Sequence, residues 1–83
     1  MYYIMPRVYG IVYDRDTGRG IPYVAVIING RTTVTDLNGY YSIEVPQGKY
    51  TLLVRTAMYS PYTKEIVVST DLRIDIPLVK AIL

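Results

Sequence analysis

The chain has 83 residues, enough for one small domain, and contains neither Cys nor His. It therefore has no disulfide, thiolate ligand or imidazole base, which excludes Ser-His-Asp and Cys-His catalysis, zinc fingers and most transition-metal sites. A net charge of +2 with 19% charged residues argues against strong attraction to nucleic acid. Tyr is the sole aromatic residue, with ten copies, and abundant Tyr, Val, Ile and Thr favours an all-β protein.

In chain order, turn signals separate short apolar runs at the spacing of a β-sandwich. The predicted strands cover residues 7–14, 23–28, 31–35, 40–45, 49–57, 62–69 and 72–78. Between the second and third strands, Asn29-Gly30 predicts a type I′ hairpin turn, which needs positive φ at both residues. After Asp36-Leu37-Asn38, Gly39 is likewise expected to have a positive φ.

The first two strands differ from the others in the distribution of their apolar residues. The last four predicted strands alternate, with mainly apolar residues on one side and mainly polar residues on the other, as a two-sheet sandwich requires. In the first two strands both sides are apolar. If Val8, Val12, Ala25 and Ile27 face the core, a second apolar set faces outwards. This predicted interaction surface consists of Tyr9, Ile11, Tyr13, Val24, Val26 and Ile28.

Several short motifs resemble the carboxypeptidase regulatory-like domain. They are Val8-x-Gly10-x-Val12-x-Asp14, Thr17-Gly18, Ile21-Pro22, Ala25-x-Ile27, Thr35-Asp36-x-Asn38-Gly39-x-Tyr41-x-Ile43 and Val45-Pro46-x-Gly48-x-Tyr50. The resemblance covers residues 7–79 and implies a seven-stranded antiparallel Greek-key β-sandwich of the prealbumin-like (transthyretin-like) type. One departure is Met58-Tyr59, where many relatives have Gly-Tyr.

The resemblance also implies a function class. Members of that family are generally non-catalytic modules in exported or cell-surface proteins or beside peptidase domains, so the expected function is structural or interactive, without catalytic residues or a cofactor. The same fold hosts transthyretin-type hydrolases, but their chemistry relies on histidine, which this chain lacks. We expect one domain over residues 1–83, with a core at 7–79 between apolar tails at 1–6 and 80–83.

Two groups of residues could form ligand sites, and each also has a simpler structural interpretation. Asp14, Asp16, Asp36 and Asn38 could supply oxygens to calcium, which takes about six to eight. Asp and Asn also favour turns because they bond to the nearby backbone, and this interpretation is preferred, so no metal site is predicted.

The tyrosines are the second case. Tyr59 and Tyr62, beside Ser60-Pro61, are expected to be exposed, and a carbohydrate-binding platform of such loop tyrosines is the alternative function. The preferred interpretation is that the tyrosines are packing and rim residues, with Tyr41 and Tyr50 in the core.

For partners, we expect self-association through the predicted interaction surface, because a thin core without disulfide or metal gains from further burial. A closed dimer is preferred to a filament; a neighbouring domain of a parent protein, or the N-terminal tail, could instead cover the surface. No nucleic acid partner is predicted, because the Arg residues are dispersed. Membrane insertion is not predicted, because no run approaches about 18 apolar residues.

The sequence leaves localisation and source open. The start of the chain lacks the features of a signal peptide, so the protein is either intracellular or a processed or excised piece of an exported one. Only three Asn and Gln residues occur, a thermophile trait, but the matching abundance of Lys and Glu is missing.

Overall fold

Residues 5–81 are described by the structure, a computed structural model, as two sheets packed face to face, with no helix in that range. The strands are β1 (Arg7–Asp14), β2 (Ala25–Ile28), β3 (Arg31–Val34), β4 (Tyr40–Glu44), β5 (Gly48–Arg55), β6 (Tyr62–Val68), β7 (Leu72–Arg73) and β8 (Ile76–Leu78). The all-β sandwich is confirmed. The predicted tails fall partly outside the described residues, namely at 1–4 and 82–83.

The first sheet has β1 at its centre, between β4 and the pair β7 and β8. β4 is antiparallel to β1, but β7 and β8 run parallel to it, so the prediction of wholly antiparallel sheets is wrong here. The reason is geometric. Strand direction alternates along the chain, so the first strand and the seventh run in the same direction. When these two strands pair, the pairing is therefore parallel.

The last predicted strand, 72–78, is divided into β7 and β8. Between them, Ile74 N donates to Tyr9 O at 2.8 Å, and the Asp75 carboxylate accepts from Ile11 N at 3.1 Å. A side-chain oxygen thus replaces a backbone carbonyl in the ladder. Gly10 permits this close approach, because a Cβ there would collide with the Ile74 carbonyl.

The second sheet has the strand order β3-β2-β5-β6 and is antiparallel throughout. β2 and β3 form a hairpin in which Ile28 pairs with Arg31 across Asn29-Gly30. The φ angles of 54° at Asn29 and 71° at Gly30 are both positive, which confirms the predicted hairpin turn.

The core lies between the sheets and contains both valines predicted from β1, Val8 and Val12. It also contains Val24, Val26 and Ile28, each at most 1% exposed, so the prediction that these three face outwards is wrong. Ala25 and Ile27 lie half-buried on the outer side. The face assigned to β2 is therefore reversed.

Thr35 sets the orientation in which the chain enters β2. Its hydroxyl accepts from Val24 N at 2.8 Å and donates to Ile21 O at 2.7 Å, and the residue is only 2% exposed. These two bonds satisfy buried backbone groups next to the first residue of the strand. They hold Val24 inwards, and the alternation along β2 follows from it.

Candidate functional site

The outer side of the first sheet carries a continuous group of aromatic and apolar side chains. Tyr9, Ile11 and Tyr13 project from the outer side of β1, as predicted. In the strand register, Tyr40 of β4 is opposite Ile11, and Pro77 of β8 is opposite Tyr13. We call these five residues the tyrosine face. Tyr9 is 38% exposed and Tyr40 51%, while the other three are half-buried.

The predicted interaction surface is not a single patch. β1 and β2 belong to different sheets, so the outer residues of β1 cannot lie beside any residue of β2 on one surface. Val24, Val26 and Ile28 are in the core, as described above. Tyr40 and Pro77 were not predicted as surface partners. The sequence could have indicated that Tyr40 faces outwards, because Tyr40 precedes the core residue Tyr41 in the alternating pattern of β4.

Polar side chains surround the tyrosine face. Arg7, Ser42 and Glu44 lie towards one end of β1 and β4, and Arg73 forms an exposed ion pair with Asp75 at 3.1 Å. An apolar, tyrosine-rich centre with a polar rim is the usual composition of a protein interface. The tyrosine face is therefore the candidate interaction surface of the first sheet.

The outer side of the second sheet is arranged differently. Its centre contains the half-buried Ala25, Ile27 and Leu53, and none of these is aromatic. The strongly exposed apolar residues are Val34 at 55% and Val67 at 62%. They lie on β3 and β6, at opposite edges of the sheet, and therefore do not extend one patch.

At one end of the sandwich, Asp14 and Tyr59 form a partly buried hydrogen-bonded pair. The Tyr59 hydroxyl donates to Asp14 Oδ2 at 2.9 Å, while Asp14 Oδ1 accepts from the backbone N–H groups of Asp16 and Thr17 at 2.9 and 3.1 Å. The hydrogen bond from Tyr59 lowers the pKa of Asp14 below its usual value, against the opposing effect of burial. The same bond raises the pKa of Tyr59.

For Asp14 and Asp36, side-chain bonds to the nearby backbone confirm the turn interpretation. Besides the Asp14 bonds, Asp36 Oδ1 accepts from the backbone N–H groups of Asn38 and Tyr40 at 2.8 and 3.0 Å. Gly39, at the end of this turn, has a φ of 87°, as predicted. Within residues 5–81, no cluster of three acidic side chains has the geometry to hold a metal ion.

Tyr59 and Tyr62 do not form an exposed platform of the kind that carbohydrate binding would use. Tyr59 and Tyr62 were expected to be exposed, but both are half-buried and pack against the core. Tyr41 is a core residue, as predicted, and donates to Ile74 O at 2.7 Å; burial raises its pKa. Tyr50 is only half-buried and donates to Pro46 O at 2.7 Å.

A cleft of about 490 Å³ opens beside the Asp14–Tyr59 pair. Its lining comes from three separate parts of the chain. The lining residues are Asp14, Thr17, Arg19, Gly20, Ile21, Pro22, Tyr59 and Lys80.

The described part of the chain contains no helix that is both long and apolar enough to cross a membrane.

The described residues form an all-β sandwich of two sheets around one apolar core. The sequence profile of the CarboxypepD_reg-like domain matches residues 8–82, and the chain belongs to that family. No curated protein matches the chain in sequence.

Solved structures with the same fold include a chain of the type II cohesin–X-dockerin complex of Acetivibrio cellulolyticus. It is 25% identical with a TM-score of 0.74, and the match covers 89% of this chain and 56% of that one. A proposed carbohydrate binding protein from Bacteroides uniformis is 18% identical, with a TM-score of 0.70, 90% of this chain covered and 41% of its own. The chain thus spans about half the length of these two proteins.

The fold is also similar to that of 5-hydroxyisourate hydrolase from Klebsiella pneumoniae. The identity is 18% and the TM-score 0.59, and the match covers 90% of this chain and 89% of the hydrolase. At this identity the similarity is one of fold, and it carries no catalytic residues to this chain.

Proposed function

We propose that this domain is a non-catalytic interaction module that forms a dimer through its tyrosine face. The observation that carries the proposal is the continuity of Tyr9, Ile11 and Tyr13 with Tyr40 and Pro77 across three neighbouring strands. Tyrosine suits this role, since it buries a large rigid surface and keeps a hydroxyl for bonding at the rim.

The absence of catalytic chemistry has its own support. The chain contains neither Cys nor His, and the buried carboxylate of Asp14 is committed to Tyr59 and to two backbone N–H groups. A carboxylate with these three partners stabilises its loop. It is poorly placed to take a proton from a substrate.

The sheet edges favour docking by faces over docking by added strands. On the edge strand β6, Lys64 occupies a position on the core-facing side of the alternation, and β8 contains Pro77, which has no N–H to donate. On β3, Arg31 reaches across to β4 and donates to Glu44 O at 3.3 Å. Charges and prolines at such positions oppose strand addition, so a closed dimer is preferred to a filament.

The proposal is tested by measuring mass in solution. The unmodified protein at about 1 mM should show a mass approaching twice the 9.5 kDa of the chain, because even a weak dimer is populated at that concentration. The double variant Ile11→Lys, Tyr40→Lys should be monomeric, because each lysine places an unpaired charge in the apolar centre of the interface. Light scattering or analytical ultracentrifugation gives the mass.

A matched control uses the other sheet. Ile27→Lys, Val34→Lys also changes one half-buried isoleucine and one exposed residue, and it should leave the dimer intact; circular dichroism checks that both variants fold. A protein that stays monomeric at about 1 mM contradicts self-association. If only the control variant disrupts the dimer, the interface lies on the second sheet. That result would contradict a dimer formed through the tyrosine face.

A further inference from the structure

Two cationic side chains in the cleft beside Asp14 and Tyr59 form no close ion pair within the described part of the chain. Arg19 and Lys80 both line the cleft, yet the ion pairs between residues 5 and 81 are Arg15–Asp16 and Arg73–Asp75. The one carboxylate of the lining, Asp14, already accepts three hydrogen bonds. Within residues 5–81 the cleft therefore presents two cations and one carboxylate, which keeps its negative charge and is stabilised by the nearby Lys80, so its lining has a net positive charge.

Hydrogen bonds hold the backbone at both cationic residues. Arg19 O accepts from Asp14 N at 2.8 Å, and Arg19 N donates to Thr17 Oγ1 at 3.2 Å. Lys80 pairs with Tyr59 in a short antiparallel bridge, which the bond from Ser60 N to Val79 O at 2.8 Å extends. Two segments far apart in sequence thus hold one cation each beside the same cleft.

The rest of the lining is largely apolar. Ile21, Pro22 and the ring of Tyr59 line the cleft. Two exposed large residues with positive φ, Tyr23 at 59° and Met58 at 74°, each directly adjoin a lining residue in sequence. They are 69% and 72% exposed. Residues held in this unfavourable region concentrate at binding sites, where the surrounding structure maintains the strain.

From this arrangement we infer that the cleft binds a peptide segment of a partner protein in which an acidic side chain adjoins an apolar one. Arg19 and Lys80 receive the carboxylate, and Ile21, Pro22 and Tyr59 contact the apolar side chain. A volume of about 490 Å³ accommodates two to three side chains of this kind. The inference concerns a different surface from the tyrosine face and goes beyond the proposed function.

The test uses ¹⁵N-labelled protein and the blocked peptide acetyl-Leu-Glu-Glu-Leu-amide, with acetyl-Leu-Gln-Gln-Leu-amide as its neutral counterpart. The acidic peptide should shift the amide signals of residues 14–22, 58–60 and 79–81 and should bind about tenfold more tightly than the neutral one, since only it pairs with the two cations. Raising the salt from about 20 to 300 mM should weaken this binding, because the cations are at the surface.

Single substitutions measure how much each cation contributes to the binding of the acidic peptide. Arg19→Gln and Lys80→Gln should each weaken binding by about threefold or more, as expected for a charge pair at the surface. The controls Arg55→Gln and Lys49→Gln remove exposed cations from the outer side of the second sheet and should bind as the unmodified protein does. The spectrum of each variant shows whether it is folded.

Three results would overturn the inference: equal binding of the two peptides, signal changes outside the cleft, or inorganic phosphate matching the acidic peptide in affinity and position. The last result would reveal a site for small anions only. The variant Ile11→Lys, Tyr40→Lys should still bind the acidic peptide. Loss of the dimer and loss of peptide binding are therefore separate outcomes.

Discussion

The first sheet and the second sheet are built by different means. The second is a regular antiparallel ladder, with seven consecutive residue pairs between β5 and β6 and a two-residue hairpin turn between β2 and β3. In the first, side chains complete the ladder: Asp71 accepts from Arg7 N at 2.9 Å and Asp75 from Ile11 N at 3.1 Å. The tyrosine face and the Asp14–Tyr59 pair both involve the first sheet, so the features we propose to be functional occur where the regular ladder is interrupted.

The largest effect should come from a glycine that the first sheet packs closely. Gly39 has a φ of 87°, and a Cβ there would lie 2.6 Å from Val12 O. Gly30, in the hairpin of the second sheet, has a φ of 71° and open space around it. Gly39→Ala should therefore destabilise by about 3 kcal/mol or more, from strain and collision together, and Gly30→Ala by about 1–2 kcal/mol from strain alone.

Urea denaturation of the two variants gives both free energies of unfolding. Equal losses would mean that close packing at the first sheet adds nothing to the cost of the positive φ. The difference between the sheets would then not extend to their turns.

A smaller effect is expected from the hydroxyl that joins β4 to the break between β7 and β8. Tyr41→Phe removes the bond to Ile74 O and should cost about 1–2 kcal/mol, because a buried carbonyl loses its partner. The neighbouring Tyr40→Phe changes an exposed ring and should stay within about 0.5 kcal/mol. Thermal unfolding of both variants measures the contrast, and a neutral Tyr41→Phe would show that water replaces the hydroxyl.

The smallest effect concerns acid stability. Because the pKa of Asp14 is lower in the folded protein than in the unfolded chain, its ionised form stabilises the fold above the usual carboxyl range. That contribution is lost as the pH falls below about 4, through the folded-state pKa. Tyr59→Phe removes the main cause of the lowered pKa, so its melting temperature should fall less between pH 6 and pH 3.

The exposed Asp16→Asn is the control and should leave the acid response of Asp14 unchanged. An NMR titration follows the Asp14 carboxyl directly. If Asp14 in the unmodified protein titrates at its ordinary value, the hydrogen bond from Tyr59 does not stabilise the carboxylate.

Much of the sandwich could be predicted from the sequence, because alternation is unambiguous where one side of a strand is polar. β4 illustrates this, with Tyr41 and Ile43 buried between the exposed Tyr40, Ser42 and Glu44. β2 could not be assigned in this way, because both sides are apolar. The hydroxyl of Thr35, eleven residues beyond Val24, decides which side is buried.

Strand partners were harder to predict than strands. The pairing of β1 with β7 and β8 depends on contacts between residues 64 positions apart, and nothing in the local pattern of either segment indicates them. For the same reason the interaction surface was predicted from strands that are neighbours in sequence, although they lie in separate sheets. Asp75 fits the outward polar alternation of its segment, so nothing in the local pattern indicates that its carboxylate accepts from Ile11 N.

The parallel pairing of β1 with β7 and β8 has a consequence for the order in which the protein folds. The strands of the second sheet lie between residues 25 and 68, and two of its three pairings join strands consecutive in the chain, which closes short loops. One edge of β1 is paired only when residues 72–78 reach it, and contacts between residues so far apart in sequence form slowly. We therefore expect a nascent or truncated chain that stops after β6 to expose one edge of β1.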